Sequence, residues 1–345
     1  RWRRRLHAFL HLPGYVADPL LSTLRISILT IFMAVAARSD FDTLSVRDRH
    51  WIRWSAPVVL ILLVEMTSEN MGLANFCMVF SLVAVFSFCF SDPPDPRDFR
   101  DWNQNQALLS VVYALGLVGF LYGANAYSDT NFVDLVLGDE SKETTLWWSM
   151  NGAFLTSAIF YGSWRIGLIQ GGADVKALIL VTLVFPSWSF VPDQMYPLVE
   201  DPLFRMPPSM VLFIWAAAAF LVAPPIIFIQ NAARGNISSL SDLKMAWHAT
   251  KRRISDLKGT PDSASYQSWI LTEAIEKNGE MSAVDRILPS RRLSNAQDED
   301  KQLELLEELG LDSVWITTKH PFLVYLFLAI FPMLLFGDPL SYLIR

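Results

Sequence analysis

The stretch "GLIQGGADVKALILV", residues 167–181, places an acid and a base, Asp174 and Lys176, between two strongly apolar runs. The run "WWSMNGAFLTSAIFYGSWRIGLI" overlaps its start, and "ALILVTLVFPSW" continues from its end. A helix of about 20 mostly apolar residues spans a membrane, and a charge at its centre costs ~2.5–3.5 kcal/mol. An acid at the edge of such a run costs less, and it is a candidate functional group.

The composition favours a membrane protein. Of the 345 residues, 52% are hydrophobic and only 18% are charged, whereas soluble domains need more charge on their surfaces. The formal net charge of -6 argues against a nucleic-acid partner, because such a partner favours a basic surface. The two cysteines, Cys77 and Cys89, form no CxxC pair, and we expect them to be buried packing thiols. We expect no metal site and no cofactor.

Eight apolar runs are long enough to be candidate spans, so the sequence predicts an all-α polytopic membrane protein. They are residues 20–38, 55–70, 71–90, 107–127, 147–169, 174–190, 209–230 and 321–342. Pro224 and Pro225 should kink or end the seventh span.

Four segments follow from these spans. They are a basic amphipathic N-terminal segment (1–19), a membrane domain (20–230), a small helical cytoplasmic appendage (231–320) and the last span with its end (321–345). In the first, Trp2, Leu6, Phe9 and Leu10 have the spacing of a helix that lies on a membrane surface.

The distribution of Lys and Arg predicts the orientation of the chain. If the first span runs inward, the outside loops contain only Lys142 and Arg205, and most other cations lie inside. The basic N-terminal segment opposes this orientation, but the seven later spans agree with it. In this orientation, the cytoplasmic side of the plasma membrane is where Asp40, Asp174 and segment 231–320 lie.

Asp40 and Asp174 could simply mark the ends of their spans. The small residues before Asp174 favour a functional role instead. Gly171, Gly172 and Ala173 allow the helix to break or to approach a neighbour closely. Asp174 could then meet a second carboxyl group across a narrow gap, and Asp40 ends the first span on the same face. Two adjacent carboxyls share one proton, so one activates water and the other protonates a carbonyl oxygen.

Three stretches resemble the archaeal type IV prepilin and preflagellin peptidases, which belong to the GxGD class of intramembrane aspartyl proteases. "GGADVKALI" (171–179) resembles their second motif, "DFDTLSVRDRHW" (40–51) their first, and "VWITTKHPFLVYLFLAIFPMLLFGD" (314–338) their terminal segment. The resemblance implies Asp40 and Asp174 as the catalytic pair. It also implies pilin-like or archaellin-like precursors as substrates, each with a short basic leader before an apolar helix.

The chain departs from this family in size and in one motif. Spans 107–127 and 147–169 look like an inserted helix pair, and segment 231–320 is long. Bacterial relatives that also methylate the new N-terminus usually carry a CxxC-bearing loop, which this sequence lacks. We therefore expect peptidase activity without N-methyltransferase activity.

Other charged residues near the two motifs have alternative roles. Asp42 competes with Asp40 as the first acid, although in a helix it would face nearly the opposite side. Asp48 is a substrate-contacting or helix-capping acid, and with Asp42 it could read the basic charge of a leader. Lys176 is either a positive-inside anchor or a residue that tunes the site.

Segment 231–320 reads as a soluble helical unit with mixed charge. Its stretches "SYQSWILTEAIEKNGEMSAVDRIL" and "DEDKQLELLEELGLDSVW" both have apolar residues at helical spacing. It contains twelve basic and fourteen acidic residues, which is typical of a solvated surface.

Two other classes of function remain open. A proton- or cation-coupled transporter would use the same two acids as relay or binding groups, and it would need inward polar residues such as Arg25, Glu65 and Asn151. A scaffolding membrane protein gives no reason for the small residues before Asp174. A presenilin-like protease would need a Tyr-Asp pair, but Ser39 precedes Asp40.

The predicted orientation is testable by cysteine labelling with a reagent that does not cross the membrane. A cysteine placed at Ser141 should be labelled from outside intact cells, and one placed at Ser239 should not, because the Lys/Arg count puts them on opposite sides. The reverse pattern would rule out access of a cytoplasmic leader to the two acids.

Overall fold

A computed structural model describes residues 17–95, 97, 102–137, 140–198, 205–258, 268–277, 280–287, 296–318 and 320–343. The predicted surface helix of Trp2, Leu6, Phe9 and Leu10 lies outside these residues. The chain divides into two compact units. The first unit comprises Arg1–Asp40, Ser45–Ala216 and Phe322–Arg345, and the second comprises Phe41–Leu44 and Ala217–Pro321.

Helices make up most of the structure. In chain order they are α1 (Pro19–Thr43), α2 (Asp48–Ser68), α3 (Leu73–Ser87), α4 (Gln104–Ala126), α5 (Phe132–Leu137), α6 (Lys142–Arg165), α7 (Gly172–Val184), α8 (Pro208–Phe220), α9 (Ala223–Ala233), α10 (Leu240–Met245), α11 (Ile254–Leu257), α12 (Ala296–Glu308) and α13 (Phe322–Phe336). Two 3₁₀ turns follow α7 and α13, at Trp188–Phe190 and Leu340–Tyr342.

Four helical stretches are long and apolar enough to cross a membrane, which gives the chain the make-up of a membrane protein. Among the described residues these are α1, α2, α4 and the continuous stretch Pro208–Ala233. Every one of the eight expected spans overlaps a helix, but eight spans are not shown. At 1.5 Å per residue, α3 with 15 residues and α7 with 13 are each about 20 Å long, short of a ~30 Å hydrocarbon layer.

The proline pair has the expected effect on the seventh span. α8 ends at Phe220, and α9 begins at Ala223 with the two prolines in its first turn. Proline is tolerated there because the first N–H groups of a helix have no partner within the helix.

Three glycines on one face of α4 allow it to pack closely on α3 and α6. A Cβ at Gly119 would overlap the backbone of Cys77, and one at Gly123 would overlap the indole of Trp147. Next to them, the Ser81 hydroxyl donates a 2.8 Å hydrogen bond to the carbonyl of Gly116. Such small-residue contacts are typical of helices that pack within lipid. Both cysteines are buried and free, as the sequence predicted.

A buried ion pair joins α1 to α2. The guanidinium of Arg25 contacts the carboxylate of Glu65, and their side chains are 2% and 0% exposed. Glu65 also accepts the N–H of Asp18 at 3.2 Å, and the Arg25 guanidinium lies 4.8 Å from the ring centre of Phe190. Each charge is therefore compensated inside the apolar core of the first unit.

The second unit is not purely helical, which corrects the predicted all-α fold. It contains β1 (Thr250–Arg253), β2 (Ser268–Ile270), β3 (Thr272–Lys277), β4 (Glu280–Asp285) and β5 (Ser313–Thr318). An antiparallel sheet has the order β1-β5-β2, and β3 and β4 form an antiparallel pair with Thr272 opposite Asp285.

Only one of the two stretches that we predicted as helices in this unit is one. The stretch around α12 is helical, and its Leu303 and Leu306 are buried with Ile254, Val314 and Ile316. Residues 268–270, 272–277 and 280–285 form strands instead. Cross-strand pairing satisfies the backbone of these strands.

The buried ion pair generates a stability prediction. Arg25→Met leaves the Glu65 charge buried without its partner, and we expect a loss of about 3–5 kcal/mol in the free energy of unfolding in detergent. The double variant Arg25→Met/Glu65→Leu should recover most of this loss, because no uncompensated charge remains.

The exposed pair of Lys142 and Glu69, with a 3.3 Å separation, is the matched control. Lys142→Ala should cost less than ~1 kcal/mol. Equal losses at the two sites would show that burial does not govern the Arg25–Glu65 pair.

Candidate active site

Asp40 lies in the last turn of α1, and its side chain is almost fully buried, at 7% exposure. Its Oδ2 atom accepts a 3.2 Å hydrogen bond from the N–H of Leu323, in the first turn of α13. The first N–H groups of a helix have no partner within the helix, and the dipole there favours a negative charge. The contact therefore offsets part of the cost of burying a carboxylate at this position, and it joins the first helix to the last.

Asp174 lies in the first turn of α7, and Gly171 is the N-cap residue of that helix. A Cβ at Gly171 would overlap the Oδ2 atom of Asp174, so this carboxyl group folds back over the glycine. Any other residue at position 171 would displace the carboxyl group. The first small residue of the motif is thus required by the conformation of the acid.

The other two small residues of the motif pack against the protein interior. A Cβ at Gly172 would lie 3.2 Å from Cζ2 of Trp164, which is tighter than an ordinary contact. Ala173 is half-buried against the core of the first unit. The small side chains therefore allow α7 to start close to the end of α6.

The two acids interact electrostatically. Asp174 lies at the first turn of α7, which is not one of the four long apolar helices. Burial raises the pKa of its carboxyl from the ordinary 3.8 to about 7, with the charge of Asp40 as the second cause. The fold thus brings together two carboxyls that lie far apart in the sequence. A raised pKa of one carboxyl beside another is typical of two acids that share a site.

Lys176 and Asp48 form an ion pair beside the two acids. Their Nζ and Oδ1 atoms are 2.5 Å apart, and the Lys176 side chain is 12% exposed against 58% for Asp48. The Lys176 ammonium also lies 4.9 Å from the ring centre of Phe90. Asp48 is the first residue of α2, so the pair joins the beginnings of α2 and α7.

Asp42 is exposed and lies in the same helix as Asp40, two residues further on. The difference in burial favours Asp40 over Asp42 as the partner of Asp174, because burial is what perturbs a carboxyl group most. The suggested roles of Asp42 and Asp48 toward a basic leader stay predictions.

Sequence reasoning missed three neighbours of the acids. The N–H of Leu323 was not recognised as the partner of Asp40, although Pro321 marks the beginning of an apolar helix there. Trp164 and Phe90 were not assigned to the site either. Both are aromatic residues at the ends of apolar runs, and nothing in the sequence pairs them with residues 172 and 176.

The site gives no sign of a metal centre in the described parts of the chain, which contain no group of three or more His, Cys, Asp or Glu side chains that could hold an ion. The two carboxyls are groups that can carry out acid–base chemistry.

Comparison with family models and with curated proteins found no match. The fold and site define a mostly helical protein with four candidate membrane-spanning helices, a small sheet region and two interacting acids at helix ends.

The raised pKa of Asp174 predicts a pH-dependent stability. Because the folded pKa is about 7 and the ordinary value is 3.8, the folded state binds more protons between these values, and stability falls as pH rises through this window. Asp174→Asn removes the charge, so it should raise the free energy of unfolding at pH 8 by roughly 1–3 kcal/mol and change it little at pH 4.

Thermal unfolding in detergent at pH 4 and pH 8 measures this difference. Asp92→Asn, at an exposed acid of the same unit, is the matched control and should show no such pH dependence. An equal gain from Asp174→Asn at both pH values would contradict the raised pKa.

Proposed function

We propose that this chain is a membrane-embedded aspartic endopeptidase of the prepilin and preflagellin peptidase type. The observation that carries the proposal is the interaction of Asp174 with Asp40: burial raises the pKa of Asp174, and the charge of Asp40 raises it further. Both acids belong to the motifs that resemble this family, and they come from distant parts of the sequence.

The wider arrangement supports this proposal. In the membrane arrangement that we propose, all eight expected helices cross the bilayer and both acids face the cytoplasm. Asp40 ends α1, whereas Asp174 begins α7, as expected for two residues at one edge of a bilayer. The third stretch of the resemblance provides Leu323, whose N–H binds Asp40.

The surroundings of the two acids suggest separate roles. Asp40 accepts a backbone N–H at a helix N-terminus, which favours its ionised form. Burial raises the pKa of Asp174 to about 7, so we assign the shared proton to Asp174. Asp40 is then the general base, and Asp174 is the general acid.

The reaction then proceeds with balanced protons. Asp40 takes a proton from water as the water oxygen attacks the scissile carbonyl carbon, and Asp174 gives its proton to the carbonyl oxygen. The tetrahedral intermediate collapses when Asp40 returns a proton to the leaving amine nitrogen and Asp174 recovers its own from a hydroxyl. The C–N bond breaks, and both acids regain their starting states without metal or nucleophilic side chain.

A site at the cytoplasmic edge suits the proposed substrates. The apolar helix of a pilin-like or archaellin-like precursor stays in lipid, and its basic leader projects into the cytosol. The bond that is cut lies at the junction, where water is available. The carbonyls of a helix are bonded four residues on, so the junction must be extended when it binds.

One observation favours a coupled transporter as the second candidate. The Arg25–Glu65 pair lies in two candidate spans, and ionisable residues in such spans often line ion or proton pathways. A transporter would move protons or cations across liposomes without cleaving any precursor, so an assay of both activities separates the two functions.

Three acid-to-amide variants test the peptidase. Asp174→Asn and Asp40→Asn should each lower the rate of precursor cleavage at least ~10³-fold, because an amide cannot transfer the shared proton. Asp42→Asn is the matched control and should retain most of the activity. Cleavage is measured on a leader-bearing precursor co-reconstituted in liposomes, with insertion of each variant checked by the labelling pattern described above.

The outcomes distinguish the assignments. If Asp40→Asn cleaves normally while Asp42→Asn does not, Asp42 is the first acid. If all three variants and the wild-type chain leave every precursor intact, the peptidase proposal fails.

A further inference from the structure

A cavity of about 400 Å³ opens between α3, α4 and α6 in the first unit. Its walls include Ala84 and Phe88 at the end of α3, Tyr113 and Leu117 on α4, and Phe154 on α6. We call it the α3–α4 groove. Its volume is within the ~300–1,000 Å³ of ordinary binding pockets, which is enough for several large side chains.

The walls of the groove are apolar because their polar groups are already bonded. The Ser81 hydroxyl donates to the Gly116 carbonyl at 2.8 Å, and the hydroxyls of Ser87 and Tyr113 are 2.9 Å apart. An occupant therefore finds hydrocarbon and aromatic surface, and it gains by burying apolar groups of its own.

An unbroken set of aromatic contacts leads from the groove to the acids. The Phe88 ring lies 5.9 Å from that of Tyr161, and the Tyr161 ring lies 6.1 Å from that of Trp164. Trp164 packs against Gly172, two residues before Asp174. One end of the groove thus lies beside the beginning of α7.

We propose that the α3–α4 groove binds the apolar helix of the substrate, an uncharged transmembrane segment with aliphatic side chains on one face. This inference rests on the proposed peptidase function and adds to it the place where the precursor docks. It gives α4 and α6, the apparent insertion, a role in holding the helix while its leader end passes the two acids.

Two observations favour a helix over the acyl chain of a lipid. The end of the groove at Phe88 is linked through Tyr161 and Trp164 to Gly172 in the acid motif, and a helix with a cleavable junction has a reason to bind there that a lipid lacks. Lys176, which contacts Phe90 at this end, already pairs with Asp48, and this disfavours a lipid phosphate at that point.

Photo-crosslinking tests the location of the helix. The photoreactive residue p-benzoylphenylalanine replaces Leu117 on the groove wall or, as the matched control, the neighbouring Val118, which is 45% exposed but does not line the groove. Each variant also carries Asp174→Asn, so that a bound precursor is not cleaved. In liposomes, the crosslink to precursor should form from position 117 and be at least ~10-fold weaker from position 118, because adjacent helical residues point ~100° apart.

Filling the groove gives a second, kinetic test with the active chain. Ala84→Phe should raise KM about tenfold and change kcat less than about twofold, because it removes binding away from the reacting carbonyl. Val118→Phe is the control and should leave both constants unchanged.

The results separate this inference from the function on which it rests. If wild-type chain cleaves the precursor but Leu117 crosslinks only to lipid, or not at all, and Ala84→Phe behaves like Val118→Phe, the groove is not the docking site and the peptidase stands. If wild-type chain cleaves no precursor, both proposals fail. Crosslinking from Leu117 together with a raised KM supports the groove.

Discussion

The candidate site depends on one hydrogen bond, which the Leu323 N–H donates to the Asp40 carboxylate within the first unit. It joins residues 283 positions apart, so it ties the first helix to the last. Asp40 is buried, and an unpaired carboxylate there would be costly. The N-terminus of α13 compensates it without introducing a cation that would neutralise the acid outright.

The same arrangement recurs around this end of the unit. Asp48 is the first residue of α2, and Asp174 lies in the first turn of α7. Leu323, whose N–H binds Asp40, lies in the first turn of α13. A helix N-terminus carries about half a positive charge, which lowers the cost of a carboxylate placed there. Two acids can therefore lie close together at the edge of an apolar core, and Lys176 is left to pair with the exposed Asp48.

Much of this fold was predictable from the sequence, and the parts that were not have physical reasons. Long apolar runs predicted the helices, since a span must satisfy its own backbone hydrogen bonds. Residues 268–285 were read as helix because short strands and a helix share the same apolar residues, although the Asn-Gly pair at 278–279 is a known hairpin signal. The structure shows four candidate spans where the sequence predicted eight, and α3 and α7 are shorter than the apolar runs that contain them.

For the site, the acids and small residues were visible in the sequence, whereas their partners were not. "GGAD" suggested a close approach to a neighbouring helix, and a Cβ at Gly172 would lie 3.2 Å from Trp164 at the end of α6. No spacing rule links Asp40 to Leu323 or Gly172 to Trp164, because these contacts depend on how distant helices pack. The sequence thus names the groups that can do chemistry, while packing decides the surroundings of each carboxyl. Burial raises the pKa of Asp174, whereas Asp40, which is also buried, accepts a backbone N–H at a helix N-terminus. In the proposed mechanism, this difference in surroundings assigns the roles of acid and base to two identical side chains.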